Sequence, residues 1–298
     1  MAKVVECVPN FSEGRNLEVI EDIIGTIKAV EGIKLLDYSH DESHNRSVVT
    51  FIGEPGPVKE AAFQAAKKAA SLIDMSGHEG GHPRMGATDV IPFVPVSGIE
   101  MKECVEMANE VGSRLAEELK IPVYLYEEAA TRPERKNLSD VRRGQYEGLI
   151  EGIKEPGREP DFGPAEVNIR AGVTAVGARP PLIAYNINLD TGDVDIAKKI
   201  ARAIRGSSGG FPTIKGLGIY IEETGQAQVT INVCDFKKVP LHRVFELVKL
   251  EASRFGVAVT DSEIVGLTPM EALVDAAEFY LQLSGLEPDQ ILENRLLE

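Results

Sequence analysis

The chain has 298 residues, 43% of them hydrophobic and 27% charged, an ordinary composition for a globular protein. Its net charge of −15 argues against a general nucleic-acid binder, which needs surplus Lys and Arg to neutralise phosphates. No apolar run approaches the roughly 20 residues needed to span a bilayer, and residues 1–6 lack the apolar core of a signal peptide. Cys7, Cys104 and Cys234 are far apart and predict reduced thiols, not a disulfide framework. The chain is therefore predicted to be cytoplasmic, with no membrane partner.

Hydrophobic spacing in the first part of the chain predicts one strand–helix unit. Apolar residues recur every three or four positions over 16–29, which is typical of an amphipathic helix, and the β-branched run at 46–53 is the strongest strand signal. In chain order we predict a strand at 4–8, a turn at 9–14, a helix at 16–29, strands at 33–38 and 46–53, a helix opened by Pro57 with an Ala-rich run at 61–73, and a strand at 90–96.

The same order of elements recurs in the second part. We predict a strand at 182–189, a helix at 193–205, strands at 216–222 and 227–233 joined by a hairpin, a helix at 240–255, a strand at 257–265 and a terminal helix from 270 to about 293. Two β-α-β-β-α-β units predict an α+β fold of two ferredoxin-like, split β-α-β subdomains. We expect sheets rich in antiparallel pairs, and subdomains spanning 1–178 and 179–298.

A connecting region separates the two units. It contains a predicted helix at 101–119, a strand at 122–126 and a polar stretch at about 130–162 that is rich in Arg and Pro. Such a stretch is either a solvated connector or a basic rim beside a cleft between subdomains.

The segment His78-Glu79-Gly80-Gly81-His82 matches the H-E-x-x-H pattern of zinc proteases. That pattern holds zinc only on a helix, whereas Gly80 and Gly81 disfavour a helix and Pro83 biases His82 away from helical dihedrals. We therefore predict no metal site. A histidine between a glycine and a proline, followed by Arg84, is a candidate general base.

Two other polar stretches are candidates for ligand contact. The stretch 41–46 leads into the strongest strand and can either contact substrate at a strand edge or simply form a turn. The stretch 161–172 precedes the second unit. No phosphate-binding GxxxxGKS pattern is present, and no GxGxxG follows a strand.

Several motifs resemble the glutamate formimidoyltransferase family over about residues 3–285. They are Val5-Glu6-Cys7-Val8-Pro9-Asn10-Phe11-Ser12-Glu13-Gly14, Gly81-His82-Pro83-Arg84-Met85-Gly86, Val123-Tyr124-Leu125-Tyr126, Asp161-Phe162-Gly163-Pro164, Asn186-Ile187-Asn188-Leu189 and Val265-Gly266-Leu267. The resemblance implies two α+β subdomains with a folate site in the groove between them, commonly in a homodimer. In animals the family domain is fused to a cyclodeaminase, so the expectation here is the stand-alone microbial form.

Matching the motifs residue by residue implies roles for individual positions. The family's catalytic histidine falls on His82. Its folate-binding segment falls on Gly163, Pro164, Ala165, Glu166, Val167, Asn168, Ile169, Arg170, Ala171 and Gly172, where the ends match and the middle departs from the animal form. Arg46 and Arg84 are candidates for binding a substrate carboxylate, because a guanidinium pairs with a carboxylate bidentately.

The expected reaction is transfer of the formimino group from N-formimino-L-glutamate to the co-substrate tetrahydrofolate, as part of histidine degradation and one-carbon metabolism, with no metal required. His82 would accept the proton of the attacking amine and then protonate the leaving amine of glutamate. Two alternatives stay open at this point: an N-formylglutamate:tetrahydrofolate formyltransferase, and a folate-binding module without activity.

Overall fold

The computed structural model describes residues 2–297 and divides into two compact units at Pro180 and Pro181. Within the described residues, no helix is both long and apolar enough to cross a membrane. The overall α+β class predicted from the sequence is confirmed, because each unit combines one sheet with helices.

The first unit contains seven strands and five α-helices within its described residues. The strands are β1 (Val4–Cys7), β2 (Asn10–Phe11), β3 (Lys34–Asp41), β4 (Arg46–Gly53), β5 (Thr88–Ser97), β6 (Val123–Glu127) and β7 (Thr174–Ala178). The helices are α1 (Leu17–Lys28), α2 (Pro55–Leu72), α3 (Met101–Leu119), α4 (Leu138–Val141) and α5 (Gln145–Gly152).

The sheet of the first unit is mixed but rich in antiparallel pairs, as predicted, and it extends beyond the predicted β-α-β-β-α-β elements to include β6 and β7. Its order is β1-β4-β2-β5-β7-β6, with β3 on β4, and β7 pairs in parallel with both β5 and β6. Strand β7 was not predicted because its five residues, Thr-Ala-Val-Gly-Ala, are small and all buried, so they show no alternation.

Local sequence signals explain the main helices of this unit. Helix α1 begins at Leu17 because the Asn16 side chain accepts hydrogen bonds from the backbone N–H groups of Glu18 and Val19, and it buries four isoleucines. Helix α2 begins at Pro55, two residues before the predicted Pro57. Proline is tolerated in the first turn of a helix because the N–H groups there have no partner within the helix. Helices α1 and α2 pack together, and α3 packs on β5, β6 and β7 around one apolar core.

Two other segments of the first unit differ from prediction. The predicted turn at 9–14 contains β2, which pairs with β4 and β5. The polar stretch at 130–162 contains α4 and α5, whose buried Val141, Tyr146 and Leu149 join the core. That stretch is therefore a folded part of the first unit and not only a solvated connector.

The second unit has the predicted order of elements. Its strands are β8 (Ile183–Leu189), β9 (Ile214–Ile221), β10 (Gln226–Val233) and β11 (Val259–Val265), and its helices are α6 (Val194–Ile204), α7 (Leu241–Ser253), α8 (Met270–Leu281) and α9 (Leu292–Leu297). The sheet order is β11-β8-β10-β9 with every pair antiparallel. This matches the antiparallel prediction, while the ferredoxin-like classification stays a prediction.

The terminal helix is shorter than predicted. It ends at Leu281 because Gln282 adopts a left-handed conformation, and Gly285 and Pro288 follow before α9 begins. The amphipathic pattern continued past the end of the helix, so spacing alone did not reveal the break.

Candidate functional site

The loop that carries His82 connects α2 to β5. A 3₁₀ turn at Met75–Gly77 ends the helical region, and residues 78–85 have no helical structure. His78 and His82 therefore share no helix face, as predicted. Among the residues that the structure describes, no group of three or more His, Cys, Asp or Glu side chains is placed to hold a metal ion.

One side of this histidine loop is attached to the turn between β3 and β4. Gly81 N donates to Ser43 O (3.0 Å), and His82 N donates to His44 O (3.4 Å). A Cβ atom at Gly80 would lie 2.4 Å from His44 O, so only glycine allows this close approach. Asn45 joins the two segments, because its side chain donates to Glu79 O (2.9 Å).

The other side of the histidine loop is attached to the segment 171–173. Val173 N donates to Met85 O (3.0 Å), and Ala87 N donates to Ala171 O (2.8 Å). Gly172 has a φ of +72°, and a Cβ there would lie 2.3 Å from Met85 O. The structure thus brings together three stretches that are remote in sequence: 41–46, 78–86 and the end of the predicted folate segment.

The amino-terminal motif supports the same loop. Ser12 is buried, its hydroxyl donates to Gly86 O (2.8 Å), and its backbone N–H donates to Ala87 O (2.9 Å). Gly14 N donates to the side-chain oxygen of Asn45 (2.9 Å). This motif therefore positions the histidine loop and the turn beside it.

Arg84 is buried, and its guanidinium group donates hydrogen bonds to other residues of the chain. Its Nη1 and Nη2 atoms donate to the two carboxylate oxygens of Glu147 at 2.9 and 2.6 Å, and Nη2 also donates to His78 O (2.9 Å). Its Nε donates to His78 Nδ1 (3.2 Å). Since that Nδ1 must be an acceptor, the ring proton of His78 lies on Nε2, which donates to Asn45 O (3.2 Å). The guanidinium therefore ties the histidine loop to α5.

Asp89 and Arg142 form a second link from the loop region. Asp89 is buried, accepts a hydrogen bond from Met85 N (2.9 Å) and forms an ion pair with Arg142 Nη2. Arg142 lies just after α4, in the stretch that the sequence marked only as basic. Its Nε atom is buried and has no hydrogen-bond partner.

Arg46, the first residue of β4, is half-buried and carries no ion pair with any residue between 2 and 297. Its Nε atom is also buried without a partner. Burial, and next the charge of Arg142, lower the pKa of Arg46, whereas Asp89 acts in the opposite direction. Arg46 and Arg142 are therefore neighbouring cations, and of the two only Arg142 forms an ion pair with a residue that the structure describes.

The imidazole of His82 is close to both cations. Burial is the largest cause that lowers its pKa to about 3, followed by the charges of Arg46 and Arg142 and then by His44 and His78. In the protein without ligand the ring is consequently neutral near pH 7 and can accept a proton. No hydrogen bond restrains the ring within the described part of the chain.

The predicted folate segment is only partly accessible. Val167 is buried in the core, Ala171 and Gly172 are buried against the histidine loop, and the Asn168 side chain accepts from Arg170 N and Ala171 N. Residues 163–166 and 169–170 are exposed. These exposed residues are the part of the segment that a ligand can reach.

A cleft of about 380 Å³ lies at the start of the folate segment. Its lining residues are Ser113, Ala116, Glu117, Lys120, Phe162, Gly163 and Pro164. Asp161, just before it, is fixed by a buried ion pair with Arg135 (2.5 Å) and accepts from Leu125 N (2.8 Å). The Asp161-Phe162-Gly163-Pro164 motif is thus anchored by a side chain that faces inward.

The Asn186-Ile187-Asn188-Leu189 motif forms β8 in the second unit. Its two asparagines belong to a polar ladder: Gln228 donates to Asn188 (2.8 Å), Asn188 donates to Asp261 (2.8 Å), and Asn186 donates to Glu263 (3.0 Å). The ladder couples β10, β8 and β11, while Ile187 and Leu189 on the opposite face are buried in the core.

Sequence reasoning did not single out Arg142, Glu147 or Gln145 for the site. Their partners Asp89 and Arg84 lie more than fifty positions earlier in the chain, so no local pattern links them. The only signal was the density of arginines at 130–162.

Fold and site together define an α+β protein that holds a neutral, half-buried histidine beside two arginines, an arrangement suited to acid–base chemistry on an anionic small molecule. Residues 4–179 match the model of the formiminotransferase domain, N-terminal subdomain, and residues 184–294 match that of the formiminotransferase domain. The chain belongs to the formiminotransferase family.

Curated relatives extend this similarity over the whole chain. The chain is 53% identical to a glutamate formimidoyltransferase of Streptococcus pyogenes over all 298 residues, covering 100% of both proteins. It is 48% identical to a glutamate formimidoyltransferase of Thermoplasma acidophilum, covering 98% of this chain and 97% of that protein. A formimidoyltransferase-cyclodeaminase of Mus musculus is 48% identical over 94% of this chain, which spans 53% of the mouse protein.

Proposed function

We propose that the protein is a glutamate formimidoyltransferase, which transfers the formimino group from N-formimino-L-glutamate to tetrahydrofolate and forms 5-formiminotetrahydrofolate and L-glutamate. The observation that carries this proposal is identity of 53% and 48%, over nearly the full length, to proteins named for that activity. The reaction belongs to histidine degradation and one-carbon metabolism.

His82 is proposed as the catalytic acid–base. N5 of tetrahydrofolate attacks the formimino carbon, and the neutral imidazole accepts the proton that N5 loses. The resulting imidazolium then protonates the glutamate nitrogen as the carbon–nitrogen bond to it breaks. Such proton transfer typically contributes about 10²–10⁴ in rate. The neutral state of the ring in the protein without ligand supports the first of these roles.

Tetrahydrofolate is proposed to contact the segment 163–172. Residues 163–166 and 169–170 are exposed and so are the candidates for direct contact, whereas Val167, Asn168, Ala171 and Gly172 hold the backbone in place. Gly172 connects this segment to the histidine loop, which supports a folate position within reach of His82.

Of the two arginines predicted to bind a substrate carboxylate, Arg46 is the better supported. Arg84 already forms a bidentate pair with Glu147 and donates twice to His78, so few of its N–H groups remain for a ligand. Arg46 forms no ion pair with any residue between 2 and 297, so its charge is available to a ligand.

The remaining proposals concern context. The protein is proposed to act in the cytoplasm on these small molecules, without a metal ion, nucleic acid or membrane, as a homodimer. Exposed apolar side chains in the second unit, including Leu217, Val265 and Leu267, support self-association. Light scattering of the purified protein measures the oligomeric state directly, and a monomer at micromolar concentration would contradict the dimer.

Turnover with formiminoglutamate and tetrahydrofolate tests the proposed function. We expect equimolar formation of L-glutamate and formiminotetrahydrofolate, and no product when either substrate is omitted. The assay is repeated after prolonged dialysis against a chelator, where activity is expected to be unchanged. A protein that binds folate without turnover would instead be the non-catalytic module.

A further inference from the structure

Resting on the proposed function, we infer that Arg46 and Arg142 together bind the α-carboxylate of the donor's glutamate group, and that Asp89 positions Arg142 for this contact. Arg142 thereby becomes a substrate-binding residue, and the donor is held by the carboxylate nearest its reacting nitrogen.

The charges around Arg46 and Arg142 do not balance. Asp89 is the only carboxylate that forms an ion pair with either guanidinium in residues 2–297. The nearby Asp41 is already used, because it accepts from Ser43 Oγ (2.6 Å) and His44 N (2.8 Å) and pairs with His44 Nδ1 (3.0 Å). One positive charge is therefore left over in a partly buried region, where an uncompensated charge is costly.

Unmade hydrogen bonds occur on the same two guanidinium groups. The Nε atoms of Arg46 and Arg142 are both buried and both lack a partner, although buried donors are nearly always paired. A carboxylate supplies one negative charge and up to four acceptor positions, so it can compensate the surplus charge and accept hydrogen bonds from the terminal nitrogens of both guanidinium groups.

The position beside His82 selects which carboxylate binds. The charges of Arg46 and Arg142 are the two largest electrostatic influences on the His82 ring. In formiminoglutamate the α-carboxylate is attached to the same carbon as the nitrogen that His82 must protonate. The γ-carboxylate lies two carbons further away, and the glutamate of tetrahydrofolate lies beyond the aminobenzoyl group from N5. Only the α-carboxylate stays beside the imidazole while the reacting nitrogen contacts it.

A bound carboxylate would also adjust the acid–base group. Arg46 of β4, Arg142 after α4, His44 in the turn and His78 in the histidine loop are the groups whose charge lowers the pKa of His82. An anion between the two arginines opposes their effect and raises that pKa toward the range of an effective acid–base catalyst. Donor binding would then prepare His82 for proton transfer.

Donor analogues and Arg142→Gln test the assignment together. With the wild type, replacing the α-carboxylate by a carboxamide should lower kcat/KM at least about tenfold, the effect of losing a charge-assisted pair, and more than the same change at the γ-carboxylate. With Arg142→Gln, the KM for formiminoglutamate should rise at least about tenfold, the KM for tetrahydrofolate should change less than twofold, and the penalty for the α-carboxamide should largely disappear.

Arg143→Gln is the matched control. Arg143 is adjacent in sequence, but its side chain is 78% exposed and pairs with its neighbour Asp140, so this variant should retain wild-type KM values. A wild-type enzyme that tolerates the α-carboxamide as well as the γ-carboxamide would overturn the inference, even if Arg142→Gln fails to fold. An unchanged α-carboxamide penalty in Arg142→Gln would also overturn it. Absence of wild-type turnover would contradict the proposed function itself.

Discussion

Two groups of arginines border the histidine loop, and they differ in how far their charge and N–H groups are satisfied within the protein. On the paired side, the buried Arg84 donates hydrogen bonds to Glu147 and His78 of the same chain. On the unpaired side, Arg46 and Arg142 lie near His82, Asp89 forms an ion pair with Arg142 but not with Arg46, and neither Nε has a partner among the described residues. The arginines near His82 therefore have two different roles. Arg84 holds the histidine loop in place, whereas Arg46 and Arg142 together keep a positive charge that can bind an anionic ligand.

The largest expected effect is on His82, which faces the unpaired side. His82→Ala should lower kcat by two or more orders of magnitude, because the acid–base group is lost, while the affinity for tetrahydrofolate changes little. Steady-state kinetics and folate titration measure both quantities. If the variant retains more than about a tenth of the wild-type kcat, the decrease is much smaller than the removal of an acid–base group causes. Another group would then transfer the proton.

Stability should distinguish the two sides. Arg84→Gln should lower the free energy of unfolding by about 2 kcal/mol, because His78 O and the Glu147 carboxylate lose their donors. Arg46→Gln should cost less than about 0.5 kcal/mol or be stabilising, since it removes a buried charge without a counter-ion. Urea denaturation of both variants checks the difference. Equal destabilisation would mean that Arg46 has a structural partner.

Donor selectivity is expected to be about tenfold. A protonated formamidine nitrogen can donate a hydrogen bond where a formyl oxygen can only accept, so a site with an acceptor favours formiminoglutamate over formylglutamate by roughly 1.4 kcal/mol in kcat/KM. Three carboxylates lie in or beside the histidine loop: Asp89 is paired with Arg142, Asp41 is bonded to Ser43 and His44, and Glu79 is exposed. Kinetics with both donors test this, and a preference for the formyl donor would replace the proposed function by a formyltransferase.

The smallest expected effect is on the titration of His82. In the wild type, a pKa of about 3 lies below the ordinary value of 6.5, so the folded protein binds fewer protons than the unfolded chain between these values. The contribution of His82 to stability therefore falls as the pH is lowered from about 6.5 toward 3.

Arg142→Gln should raise the pKa of His82 by roughly half a unit to one unit, because one nearby cation is removed. NMR of the imidazole measures this shift, and titration of the wild-type ring near 6.5 would contradict the buried, cation-flanked environment.

The two sheets show which strands can be predicted from the local spacing of hydrophobic residues. In the second unit, β8 alternates fully and partly buried residues and every pair is antiparallel, and spacing predicted β8 to β11 within a few residues. In the first unit, β7 is buried at every position and pairs in parallel with strands distant in sequence, and it gave no signal. Helix α5 was likewise not predicted, because its segment is mostly polar and Tyr146 and Leu149 are its two large buried side chains.

The sequence by itself determined the α+β class, the boundaries of α1, α3 and β4 to within a residue, the non-helical histidine loop and the choice of His82 as the candidate acid–base. These follow from local physics, namely hydrophobic period, helix capping, and the restrictions that glycine and proline impose. Only the tertiary structure decided that Arg84 is internally paired and that Arg142 lies beside Arg46. Ion pairs such as Arg84–Glu147 and Arg142–Asp89 join side chains more than fifty residues apart, and their geometry depends on how β4, the histidine loop and the segment after α4 pack together.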